Sequence, residues 1–89
     1  MIPTIGRIVH YTLSAQDAAQ VNSLRGSATF RANQAFAGDV YPMLIVRVWG
    51  DQPQSCVNGQ VFIDGDFTLW VTSVAVGEGP RHFTWPVRG

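Results

Sequence analysis

Few residues in this chain could do acid–base or nucleophilic work, and they are poorly grouped. His10 and His82 stand far apart, and neither has an acid nearby at a metal-ligand spacing such as H-E-x-x-H. Ser73, His82 and Asp64 can be drawn as a triad, but no G-x-S-x-G elbow raises Ser73 to a nucleophile. Asp64 and Asp66 bracket a turn, where aspartates are turn formers more often than an acid–base pair. Gly77-Glu78-Gly79 lacks the strand-to-helix setting that aims backbone amides at a phosphate. With no convergent acid, base and nucleophile, and no residue set for a metal or cofactor, the expectation is a non-catalytic protein.

Binding chemistry is better represented. All six basic residues are arginines: Arg7, Arg25, Arg31, Arg47, Arg81 and Arg88. The absence of lysine removes Schiff-base chemistry and a P-loop. Arginine suits bidentate grips on carboxylate or phosphate and stacking on flat rings. Tyr11, Trp49, Trp70 and Trp85 lie on or beside strand-like runs and can stack on a base. Trp70 and Thr72 share one face of their strand with Ser73 adjoining, and Arg7 shares a face with Tyr11. Asn22 offers a donor and an acceptor on a helix that Arg25 closes. The expected ligand set is therefore Arg7, Tyr11, Asn22, Arg25, Trp70, Thr72 and Ser73. Two structural roles compete with it: tryptophans as core, and Asn22 satisfying a nearby loop carbonyl.

These residues need a scaffold, and the pattern supplies one. Residues 5–13 read as a strand, with Ile5, Arg7, Val9, Tyr11 and Leu13 on one face and Ile8 and His10 on the other. Ser14-Ala15-Gln16-Asp17 has the form of a capping box and opens a helix over 15–25, with Gly26 just beyond its end. Residues 26–42 show no period. Strands follow over 43–49, 56–63, 67–76 and 81–85. Asp64-Gly65 predicts a type I′ hairpin, and Gly77-Glu78-Gly79-Pro80 a second turn. The fold expected is mainly β: a small five-stranded SH3-like or OB-like barrel or meander, with one short helix inserted after the first strand.

Size and composition bound the partners. A chain of 89 residues is one domain, spanning residues 1–89. Charged residues are 13% of it, about half the usual share, and hydrophobic residues 46%, so part of the surface is expected to be covered by a ligand or another copy. The formal net charge is zero, which argues against long nucleic acid. Cys56 is the single cysteine, so no internal disulfide forms. The opening Met1-Ile2-Pro3-Thr4 has no charged leader before an apolar core, and no apolar run approaches a membrane span. No signal peptide, no membrane partner and a cytoplasmic location are expected. On the helix, Val21 and Leu24 form the larger edge, while Ala15, Ala18, Ala19 and Asn22 form a low strip expected to meet a symmetry mate in a homo-oligomer.

Several blocks together resemble a widespread family of small phage and prophage proteins. They are Gly6-Arg7-Ile8-Val9-His10-Tyr11, Ser14-Ala15-Gln16-Asp17-Ala18, Tyr41-Pro42-Met43 before Ile-Val-Arg-Val-Trp, and Val57-Asn58-Gly59-Gln60-Val61. Leu69-Trp70-Val71-Thr72-Ser73-Val74 and Gly77-Glu78-Gly79-Pro80 with Trp85-Pro86 complete the set. The chain departs from that pattern by a trimmed segment between Arg25 and Asn33, and by Asp66-Phe67 where a polar pair is expected. Small phage β proteins of this size include sponges that sequester the cyclic nucleotide signals of bacterial immunity. The resemblance thus implies a phage protein of the host bacterial cytoplasm, holding a cyclic nucleotide or related small nucleotide signal without cleaving it. An SH3-like protein-interaction or virion-associated module is the alternative.

Overall fold

The computed structural model describes residues 1–27 and 29–86, so Ala28 and Arg88 lie outside the described residues. Five strands close into a barrel: β1 (Ile8–Thr12), β2 (Val40–Val48), β3 (Val57–Phe62), β4 (Thr68–Val76) and β5 (His82–Thr84). The helix α1 (Ala15–Leu24) follows β1. The barrel expected from sequence is thus present. Its strands run around it in chain order, a meander rather than the Greek key of an OB fold. β1 to β4 pair antiparallel, and β5 closes the ring antiparallel to β1 and parallel to β4.

Alternation explains the core. Val9, Tyr11, Met43, Ile45, Val57, Val61, Leu69, Val71 and Phe83 point inward and are buried, with Ala18 and Val21 of α1 joining them. Gly59 is also inward, and a Cβ there would overlap the Met43 side chain and lie 3.0 Å from the Leu44 carbonyl oxygen. The capping box forms as read: Ser14 Oγ accepts from the Asp17 amide at 3.1 Å, and Asp17 Oδ2 accepts from the Ser14 amide at 3.0 Å.

Four expectations are corrected. β1 begins at Ile8, not Ile5, because the Gly6 amide donates to the Ile45 carbonyl while the Ile45 amide donates to that of Arg7. Two residues thus oppose one, a glycine bulge with Gly6 at φ +92°, and Ile5 is left exposed. β2 begins at Val40, inside the segment expected to be irregular; the pairing to β3 starts only at Met43, so Pro42 sits where its missing N–H is tolerated. The Asp64-Gly65 turn is not type I′, since neither residue has positive φ. Gly65 is there for closeness: a Cβ would sit 2.7 Å from the Arg31 carbonyl oxygen and 2.9 Å from the Ala32 Cα. The helix strip is split as well. Ala18 faces the barrel while Ala15 and Ala19 are exposed, so the strip is not a spare surface.

The parallel closure is unusual for so short a connection, since parallel neighbours ordinarily need a long crossover. Here Gly79 at φ +92° and Arg81 at φ +63° turn the chain sharply, and the Arg81 amide docks on the Thr12 carbonyl at 2.9 Å.

Candidate binding face

The outer face of β2, β3 and β4 carries two adjacent bulges. Val46 is an extra residue on β2 between the Ile45–Gly59 and Arg47–Asn58 pairs. One extra residue also enters β4 between the Val71–Gly59 and Val74–Val57 pairs, where Ser73 takes φ +55°. Asn58, on the strand between them, is buried and joins the two. Its Oδ1 accepts from Trp49 Nε1 at 3.0 Å and from the Ser73 amide at 2.9 Å. Bulges re-aim side chains, and here they present Arg47, Trp49, Thr72 and Ser73 at one end of the face.

Arg47 lays its guanidinium over the Trp49 ring, 4.0 Å from the centroid. Trp49 keeps 54% of its surface exposed although its N–H is fixed, so the ring is both held and accessible. Among the described residues Arg47 makes no ion pair; the pairs present are Arg31 with Asp66 and Arg81 with Asp17. The site can therefore offer a free cation, an oriented aromatic surface and the Ser73 hydroxyl.

Toward the other end the face is uncharged. Ile8, Leu44, Gln60 and Trp70 form one continuous cross-strand row, and Phe62 opposite Thr68 begins the next. Trp70 is 62% exposed, and Gln60 Oε1 accepts from Thr68 Oγ1 at 2.9 Å.

The residues expected to bind ligand do not converge. Trp70, Thr72 and Ser73 share β4, and the last two flank Asn58, but the rest lie elsewhere. Tyr11 is fully buried, its hydroxyl donating to Asp17 Oδ2 at 2.5 Å, so it is a core residue and not a stacking one. Burial first, then that hydrogen bond, pushes its pKa well above the ordinary tyrosine value. Asn22 spends its amide on the backbone of Ala35, donating at 2.9 Å and accepting at 2.9 Å. It ties α1 to the segment before β2, the competing role named above. Arg25 Nε donates to the Ala32 carbonyl at 3.1 Å and serves the same segment. Arg7 is stacked 5.0 Å from the Trp85 centroid, and Trp85 meets Phe83 edge-on. Arg47, Trp49 and Asn58, which the fold brings together beside Ser73, were not in the expected set. Their signal was present in sequence: Arg47 is the single charge in an apolar strand, with Trp49 two residues on.

The catalytic alternatives are also dispersed. Asp64 Oδ2 accepts from Asn33 at 2.8 Å, His82 Nδ1 lies 3.0 Å from the Pro80 carbonyl, and the Ser73 amide is bound to Asn58. Asp66 holds Arg31 through its backbone amide and guanidinium, in that order of weight, and its carboxyl is lowered below the usual carboxylate range. These residues line a shallow hollow of about 380 Å³ between Arg31–Asn33 and Asp64–Asp66. Two carboxylates make it a poor host for phosphate. Among the described residues no group of three His, Cys, Asp or Glu side chains could hold a metal ion, and no helix is long and apolar enough to cross a membrane.

Comparison with protein-family models, curated proteins and solved structures finds no match to the chain.

Proposed function

We propose that this is a non-catalytic, phage-encoded binding protein that sequesters a small nucleotide signal, of the cyclic di- or oligonucleotide class, in the host bacterial cytoplasm. The observation that carries the reading is the Arg47–Trp49 stack, fixed by Asn58 between two bulges beside Ser73. A base stacks on an exposed tryptophan, and a phosphate takes an unpaired guanidinium that is already oriented. The resemblance of the quoted sequence blocks to phage proteins supports the setting. Titration calorimetry against a broad panel of cyclic nucleotides tests the reading, with binding lost in Arg47→Ala. Ligand recovered unaltered after heat denaturation is the expected result for a sponge, and a cleaved product refutes it. Silence across the panel at micromolar protein refutes the nucleotide assignment.

A second reading, a protein-interaction or virion-associated module, draws on the uncharged rows around Leu44 and Trp70. Copurification with a phage structural protein, together with silence in the panel, would favour it.

A further inference from the structure

A side-chain amide carries two lone pairs on its oxygen and two hydrogens on its nitrogen. In Asn58 the oxygen is already full: Oδ1 accepts from Trp49 Nε1 at 3.0 Å and from the Ser73 amide at 2.9 Å. Both partners can only donate, so a reversed amide would set its nitrogen against two N–H groups, and the orientation is fixed. The nitrogen is left over. Asn58 is only 8% exposed, and its Nδ2 has no hydrogen-bond partner among the described residues. Yet none of their unpartnered side-chain nitrogens or oxygens is sealed from solvent, so Nδ2 opens to the surface. It does so next to the indole edge of Trp49, with Arg47 opposite Asn58 on β2.

We infer that this free amide nitrogen determines specificity: it donates to an oxygen on the edge of the ring stacked on Trp49, so the site takes guanine, or another base with an oxo edge, over adenine. This rests on the nucleotide reading above and adds which base that nucleotide carries.

Asparagine ordinarily reads adenine with both halves of its amide, the oxygen accepting from the amino group and the nitrogen donating to N7. In Asn58 the oxygen is spent, so the half that would recognise an amino group is gone. A donor remains, and guanine presents two acceptors on the corresponding edge, O6 and N7. The side chain opposite has the same polarity, because a guanidinium has donors and no acceptor. An adenine in the same pose would turn its amino group toward these donors and leave it unpaired. The Ser73 hydroxyl can donate or accept and discriminates neither way.

Calorimetric titration of the full chain with the cyclic dinucleotides of guanosine, inosine and adenosine tests this. Inosine keeps the oxo edge but lacks the exocyclic amino group of guanine, so it isolates the contact proposed. The guanosine and inosine ligands are expected to bind at least about tenfold tighter than the adenosine ligand. Asn58→Asp keeps an oxygen for Trp49 and Ser73 and replaces the free donor by an acceptor of the same shape. It is expected to bring that ratio to parity or reverse it, while the Trp49 indole N–H signal shows its hydrogen bond retained. A merely structural Asn58 would lower all three affinities together and leave the ratio unchanged, and that result overturns the inference. An adenosine ligand that the unmodified protein binds as tightly as the guanosine one also overturns it, with the nucleotide reading left standing. Silence toward all three overturns it too, and the broader panel then decides whether the nucleotide reading falls with it. If Asn58→Asp fails to fold or to bind, the three ligands on the unmodified protein decide the matter alone.

Discussion

Replacing Tyr11 by Phe removes one buried hydroxyl and leaves the ring that fills the barrel. In the native protein that hydroxyl donates to Asp17 at 2.5 Å, and Asp17 also accepts from the Ser14 amide at 3.0 Å and lies 3.7 Å from the Arg81 guanidinium. A hydrogen bond to a charged acceptor is worth about 1.5–3 kcal/mol. Asp17 keeps its other partners, so the loss is placed near 2 kcal/mol, or about 8–16 °C in Tm for a domain of this size. Asp17→Ala is worse, about 3–5 kcal/mol, since it strands both the Tyr11 hydroxyl and the Ser14 amide at the N-cap. The double variant costs less than the sum of the two, because both singles break the same contact. The pH dependence has a definite sign. Tyr11 in the fold titrates above the ordinary tyrosine value of about 10, so its contribution is complete below that pH and is lost as pH rises further. Urea denaturation from pH 7 to pH 11 checks both parts. Tyr11→Phe flattens the alkaline fall, leaving a smaller slope from Tyr41, whose pKa is also raised, chiefly by burial and then by Asp39. A variant within about 0.5 kcal/mol of the native protein, with an unchanged alkaline slope, refutes the reasoning.

Other consequences are sharper for being local. Ala18→Arg forces an unpaired charge toward the core and should unfold the domain, seen as lost cooperative melting. Gly59→Ala overlaps Met43 and crowds the Leu44 carbonyl, costing about 1–3 kcal/mol by chemical denaturation. Ser73→Gly relieves a left-handed residue and should stabilise the fold by about 1 kcal/mol in the same assay, with the Asn58 contact to its amide retained.

Much of the architecture was legible because it depends on local pattern. Alternation along β1 and β4, the Ser14–Asp17 box and the turn residues each act over a few positions, and they gave the strand count and the place of the helix. The misread parts depend on contacts distant in sequence. Gly65 looked like a hairpin glycine, yet its reason is the backbone at 31–32 lying against it. Asn22 could be read as a ligand contact or as the partner of a loop carbonyl, and only the Ala35 backbone, 13 residues away, decides for the second. Tyr11 and Arg7 share a face in an ideal strand, but the Gly6 bulge and barrel closure bury one and send the other to Trp85. The Arg47–Trp49 end of the outer face was the hardest to see, because two bulges and one buried amide assemble it, and a bulge has no fixed sequence signature.

The Arg47–Trp49 stack can be watched directly through the three tryptophan indole N–H signals in a ¹⁵N–¹H spectrum. Trp49 donates that N–H to Asn58, so its signal reports on the ring without being the ligand's own contact. Titration with the cyclic nucleotide that binds best in calorimetry is expected to move the Trp49 signal, with Trp85 unmoved and the shift abolished in Arg47→Ala. A nucleotide that binds while the Trp49 signal stays fixed, or that moves it equally in Arg47→Ala, contradicts the site assigned here.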